Sequence, residues 1–186
     1  MRSVIETGRL ILRPWRAADI GAFAAMNADA EVMAHFPKRL TRADSAAMMA
    51  RVQDHFGRHG FGFGAVERKA DRVVLGMAGL AAATFEAPVT PCVEVGWRLA
   101  RAHWGMGYAT EAARGWLAHG FDALALREIV AFVVPANLRS QAVMTRLGMR
   151  RDPGRDFEHP ALPEGHVLRP HWLYAVAGAA RTEPPP

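Results

Sequence analysis

Two glycines, Gly105 and Gly107, stand between a run patterned as a strand, residues 92–99, and a run with helical spacing that begins at Tyr108. Val93 and Val95 alternate around Glu94, the two-residue period of a strand, whereas Tyr108, Ala112, Trp116 and Phe121 recur near the period of a helix. A helix opening after such a turn presents about four backbone N–H groups without intrahelical partners, together with a partial positive charge. Glycines at the entrance let an anion approach those groups closely, and Ala109 and Thr110 keep the first turn small. The turn therefore constrains the chain twice. Strand must pass into helix at this point, and the junction must be an anion site.

The remaining elements follow from patterning. Residues 9–15 read as a strand, edge or terminal in its sheet because Leu10, Ile11 and Leu12 break alternation and Pro14 suits only an end. Asp19 is placed to cap a helix running to about Asn27, and Thr41 with Asp44 forms the capping-box pattern of a longer one carrying Ala46, Met49, Val52 and Phe56. Four glycines between 57 and 64 end that helix. Strands are predicted over 63–67, 73–82 and 92–99, consistent with an antiparallel meander. After the helix from Tyr108 come a buried strand over 128–134, a short helix over 140–147 closed by Gly148, and a last strand over 167–176. The fold class is mixed α/β (α+β), one domain over residues 1–178, with 179–186 expected to be a disordered tail ending in three prolines.

Composition narrows the function classes. A chain of 186 residues suits one core, and 51% apolar with 22% charged residues is ordinary for a globular protein. No run approaches the ~20 apolar residues of a membrane span and the N-terminus lacks a signal-peptide pattern, so a soluble cytoplasmic protein without a membrane partner is expected. The single cysteine, Cys92, excludes an intramolecular disulfide and a multi-cysteine metal site. The net charge of +5 is dispersed, with small clusters at Arg98/Arg101 and Arg146/Arg150/Arg151. That distribution suits a phosphate-bearing small molecule better than a nucleic acid.

Three kinds of phosphate-binding turn compete at Gly105 and Gly107. A nucleotide triphosphate loop needs Lys and then Ser or Thr directly after its second glycine, where this chain has Tyr108 and Ala109. The dinucleotide fingerprint would put Gly or Ala at Thr110 and an acidic residue at the end of the next strand, whereas Glu128 begins its strand. The third is the acetyl-coenzyme A loop, Arg or Gln, two residues, Gly, one residue, then Gly or Ala. Gly107 and Ala109 fit it, and Trp104 departs from it at the Arg/Gln position. The stretch Trp104-Gly105-Met106-Gly107-Tyr108-Ala109-Thr110-Glu111-Ala112 resembles the GCN5-related N-acetyltransferase (GNAT) superfamily, in its RimJ/RimL-like, ribosomal-protein alanine acetyltransferase branch. The likeness extends to Arg9–Arg13 before an Asp-initiated helix, to Val93–Trp97, and to Asn137–Ser140 with Leu147-Gly148-Met149, in order from residue 9 to about 176.

This resemblance implies acetyl transfer from acetyl-coenzyme A to a primary amine, a protein N-terminus or a small molecule. It also implies a mostly antiparallel sheet splayed between its fourth and fifth strands, here 92–99 and 128–134, with the pantetheine arm on the backbone of Val95, Gly96 and Trp97. Gly96 suits a bulge or a close backbone approach, or is a plain strand glycine. The pyrophosphate is expected on the N–H groups of Gly105, Met106, Gly107, Tyr108, Ala109 and Thr110. By resemblance Asn137 bonds the pantetheine arm and Ser140 protonates the departing thiolate; otherwise both are helix-start residues. Many superfamily members supply a Tyr as the acid, but none occurs in 141–147, which moves weight to Ser140.

An amine must lose its proton to attack, and Glu94 is the candidate base, either buried and useful or facing solvent. An N–H between Gly96 and Arg98 would serve the oxyanion. Glu111 is read as support for the helix end. His159, His166 and His171 lack metal-ligand spacing, and no metal is expected. Cys92 has no activating neighbour, so transfer is expected to be direct, in a ternary complex. The alternatives are a non-catalytic acyl-coenzyme A sensor or interaction module and, further off, a nicotinamide oxidoreductase. The acceptor pocket is expected between 57–64 and 156–170. The oligomeric state stays open, a homodimer included.

Overall fold

The computed structural model describes residues 4–178; the expected tail lies outside them. The chain runs β1 (Ile5–Glu6), β2 (Leu10–Arg13), α1 (Ile20–Ala28), α2 (Arg42–His59), β3 (Phe63–Arg68), β4 (Val74–Ala82), β5 (Val93–Leu99), α3 (Tyr108–Asp122), β6 (Glu128–Val133), α4 (Leu138–Arg146), β7 (Arg150–Arg151), β8 (Phe157–Glu158) and β9 (Pro170–Ala177). One sheet has the order β1-β2-β3-β4-β5-β6-β9-β7, with β8 alongside the start of β9. All neighbours are antiparallel except β5 and β6. Those two strands share a single registered pair, Glu94 with Val130, and then diverge. This is the expected splay.

Helices cover both faces of the sheet. Leu10, Leu12, Val95, Leu99 and Ile129 pack with Ala112, Ala113 and Trp116 of α3 on one face, while Ala65 and Met77 pack with Phe23 and Met26 of α1 and Met49 of α2 on the other. Burial on both sides explains why β4 lacks alternation, being apolar or glycine from Val74 to Ala82. Among the described residues no helix is long and apolar enough to cross a membrane.

Local chemistry explains most boundaries. Thr41 Oγ1 accepts from the Asp44 N–H at 3.0 Å and Asp44 Oδ2 accepts from the Thr41 N–H at 3.1 Å, the reciprocal box that starts α2. Gly60, in the left-handed region, stops it.

Several expectations need correction. Asp19 precedes α1 without capping it by its side chain; it accepts from Arg13 at 2.7 and 3.0 Å and from the Arg16 N–H at 2.7 Å, because a buried guanidinium competes successfully for the carboxylate. Leu10–Arg13 is not an edge, since two-residue β1 pairs with its outer side. α4 begins at Leu138, two residues early, capped by Asn137. Gly96 sits in regular register opposite Gly79, and the bulge of the meander lies at Val66/Glu67 instead.

Candidate active site

The first turn of α3 leaves backbone N–H groups open. Gly107, the residue before the helix, has φ +79°, and Gly105 has φ +77°, a region L residues with a Cβ disfavour. The first intrahelical bond runs from the Glu111 N–H to the Gly107 carbonyl at 3.0 Å, so the N–H groups of Tyr108, Ala109 and Thr110 precede the ladder. Among the described residues no side chain caps them. Glu111, the acidic residue of that turn, is engaged elsewhere, accepting from Thr7 Oγ1, the Arg9 N–H and Arg9 Nε at 2.6–2.7 Å. Burial opposes its ionisation, yet those bonds hold its carboxyl below the ordinary range. It ties the N-terminal segment to the helix.

The turn itself is braced from both ends. Trp104 Nε1 donates to the Leu99 carbonyl at 2.8 Å, fixing the turn to the end of β5, and the Arg139 guanidinium lies 4.5 Å over the Trp104 ring. Trp104 thus holds a cation from α4 beside the first turn of α3, which gives its departure from the loop pattern a structural role. The Met106 carbonyl accepts from Arg9 Nη1 at 3.0 Å, and its half-exposed side chain is not part of the cleft lining.

A cleft of about 1110 Å³ joins this turn to the gap between β5 and β6. Of the residues singled out in the sequence, Glu94, Val95, Gly96, Trp97, Gly105, Gly107, Tyr108, Ala109, Thr110, Asn137 and Ser140 all line it. Asn137 Oδ1 accepts from the Ser140 N–H at 3.1 Å, the cap of α4. Among the described residues the Asn137 amide nitrogen and the Ser140 hydroxyl have no hydrogen-bond partner. Glu94 stands where the strands part, opposite Ala81 on one side and Val130 on the other. Burial, with no charged neighbour acting, pushes its carboxyl up to about 7. It is only partly exposed, so the solvent-facing reading is not what the fold gives it.

The other half of the lining was not legible. It comes from the segment after α1, including Val32, His35 and Phe36, from Met48 and Met77, and from Arg98 and His103. Of the expected acceptor segments only Phe63 contributes, and 156–170 contributes nothing. That loop instead wraps the β9 end, where Phe157 stacks on Phe85 and on His171, and His159 packs tilted against Phe85 and His171. Among the described residues no three His, Cys, Asp or Glu side chains are grouped to hold a metal. Burial raises the Cys92 thiol to about 11, with Glu94 and Glu128 adding to the effect.

The sequence model of the acetyltransferase (GNAT) domain matches residues 9–150. An uncharacterized N-acetyltransferase of Bacillus subtilis, YnaD, is 28% identical over 172 residues, 92% of this chain and 95% of that protein. A GNAT-family acetyltransferase structure from Bacillus anthracis superposes with a TM-score of 0.78 at 24% identity, covering 94% of this chain and 98% of that one. Mycobacterium smegmatis RimJ in complex with CoA-disulfide superposes with a TM-score of 0.76 at 22% identity, covering 95% and 88%. At these identities the two structures speak for the fold.

Proposed function

Because the chain belongs to the GNAT acetyltransferase family, we propose that it transfers the acetyl group of acetyl-coenzyme A directly to a primary amine, in one cleft and without an acyl-enzyme. The observation that carries this is the junction of two features, three open N–H groups at the α3 N-terminus and a sheet that parts after one β5–β6 pair. The residues fit coenzyme A. Gly107 to Thr110 offer N–H donors to a pyrophosphate, Arg139 and Arg146 supply positive charge, and Asn137 and the edge of β5 around Val95–Trp97 offer groups to an amide-bearing arm. Bound there, acetyl-coenzyme A supplies an activated acetyl thioester.

The protein's own groups manage the protons. Glu94, raised to about 7, accepts the proton of the incoming amine. As the N–C bond forms the C–S bond breaks, the Ser140 hydroxyl gives its proton to the departing thiolate, and water carries the proton held on Glu94 back to Ser140. A thiolate of pKa near ~8.5 leaves readily, so a weak acid suffices. Main-chain N–H groups between Gly96 and Arg98 are the donors available to the oxyanion. Cys92, held protonated by burial and outside the cleft lining, is unsuited to carry the acetyl group. The acceptor is a primary amine, on a protein N-terminus or on a small molecule.

Calorimetry with coenzyme A and a thiol-release assay over amines and peptides test the proposal, with intact-mass measurement after acetyl-coenzyme A treatment. Binding, amine-dependent thiol release and an unmodified protein are expected. A stable acetyl adduct on Cys92 would overturn direct transfer.

A further inference from the structure

Glu94 and Arg98 lie on one face of β5, opposite Ala81 and Met77 of β4. Between them that face carries Gly96 opposite Gly79, and the Phe63 ring packs over Gly96, where a Cβ would meet it at 2.9 Å, so Phe63 forms the floor between the two groups. Four residues of strand separate the two charged groups by about 13 Å between Cα atoms.

Arg98 is only 9% exposed, yet it lines the cleft. Its Nη1 donates to Asn27 Oδ1 at 2.7 Å, its guanidinium lies 3.9 Å over the Phe36 ring, and its buried Nε has no hydrogen-bond partner. No ion pair among the described residues neutralises it, and burial alone acts on it, lowering it to about 10. The other deeply buried guanidinium, Arg13, shows the contrast, paired with Asp19 at 2.7 Å and Glu67 at 2.6 Å. A buried cation held only by a neutral amide and a ring is costly unless an anion completes it. Glu94 is the mirror case, a carboxyl in the same cleft with no cation acting on it. Neither charge compensates the other.

One kind of acceptor compensates both. We propose that the amine acceptor is a small molecule that also carries a carboxylate, its amine held at Glu94 and its carboxylate on the Arg98 guanidinium, with Phe36 fixing the guanidinium plane. This rests on the acetyl-transfer reading above and narrows its acceptor to amino-carboxylates. An uncharged-tail amine, or a protein N-terminus without an acidic group near it, would leave Arg98 uncompensated.

The test pairs acids with their amides: β-alanine, 4-aminobutyrate and leucine against β-alaninamide, 4-aminobutyramide and leucinamide, beside benzylamine and C-terminally amidated peptides. Acceptors are compared by kcat/KM from thiol release, with products identified by mass. In at least one pair the acid is expected to exceed its amide by tenfold or more, and Arg98→Gln to bring that ratio close to one. No acid turned over, no acid preferred over its amide, or a preference that survives Arg98→Gln each overturns the inference. Should Arg98→Gln fail to fold, Phe36→Leu at an exposed residue carries the same comparison, raising KM for the acid and not for the amide; equal effects overturn it. Turnover of benzylamine or peptides alone would remove the carboxylate while keeping acetyl transfer. Failure of every amine together with absent coenzyme A binding would remove acetyl transfer itself.

Discussion

Replacing Glu94 by Gln should abolish most activity while making the protein more stable at neutral and alkaline pH. The carboxyl is raised from 4.5 to about 7 by burial alone. At about 1.36 kcal/mol per pH unit, that corresponds to about 3.4 kcal/mol of preference for the protonated form. Cleft water screens part of this, leaving about 2 kcal/mol. The folded state therefore binds the proton more tightly than the unfolded chain, and stability falls as pH rises from 4.5 to 7. Below that window both states are protonated and the Gln variant should match the parent. Above it the variant should be more stable by about 2 kcal/mol, read as a higher urea midpoint at pH 8 than the parent shows, and no difference at pH 4.

Activity should move the opposite way. With the base at about 7, about a tenth of the enzyme is ionised at pH 6, so kcat at saturating substrates should rise about tenfold from pH 6 to 8 and then level. In the Gln variant kcat should drop by about 10²–10⁴ and lose that inflection. A variant that keeps the inflection, or loses less than about threefold in kcat, would refute Glu94 as the base; one destabilised at pH 8 would refute the burial account of its charge.

Three other perturbations probe separate parts of the molecule. Gly107→Ala forces a Cβ into φ +79°, at a cost of about 1–2 kcal/mol, and by moving the first N–H groups of α3 should weaken coenzyme A binding by about tenfold in calorimetry. Ser140→Ala should lower kcat by about threefold to tenfold with coenzyme A affinity unchanged, because the thiolate leaves even when water supplies its proton. Arg13→Met leaves Asp19 and Glu67 buried without their main cation, and should cost about 3 kcal/mol in urea unfolding with kcat per folded molecule unchanged.

The donor half of the cleft was legible because its features are local. A glycine at positive φ, a helix entrance and a cap three residues before a serine are short-range devices, set by φ preference and by N–H groups within one turn of chain. Gly105, Gly107, Asn137 and Ser140 accordingly lie where their spacing put them. Local spacing misled where a long-range partner intervened. Asp19 stands in a capping position, but Arg13 and the Arg16 N–H take its oxygens. Gly96 suggested a bulge, whereas its lack of a Cβ answers the Phe63 ring from a strand some thirty residues earlier.

By itself the sequence determined the main strands and helices, the meander and the glycine turn before α3, since periodicity and turn chemistry specify these within a few residues; the splay followed from the family resemblance, and the two-residue strands β1, β7 and β8 are too short to leave a pattern. The sequence left undecided whether the Glu94 carboxyl was withdrawn from solvent or solvated, because alternation alone does not say which face of β5 is covered. Tertiary structure decided that by bringing the α1–α2 segment over this face. The same packing kept 156–170 out of the cleft lining, put Phe36 and Arg98 there with Asn27 behind Arg98, and left that guanidinium without a carboxylate among the described residues. A charge without a partner is a property of three-dimensional neighbours, and no pattern along the chain encodes it.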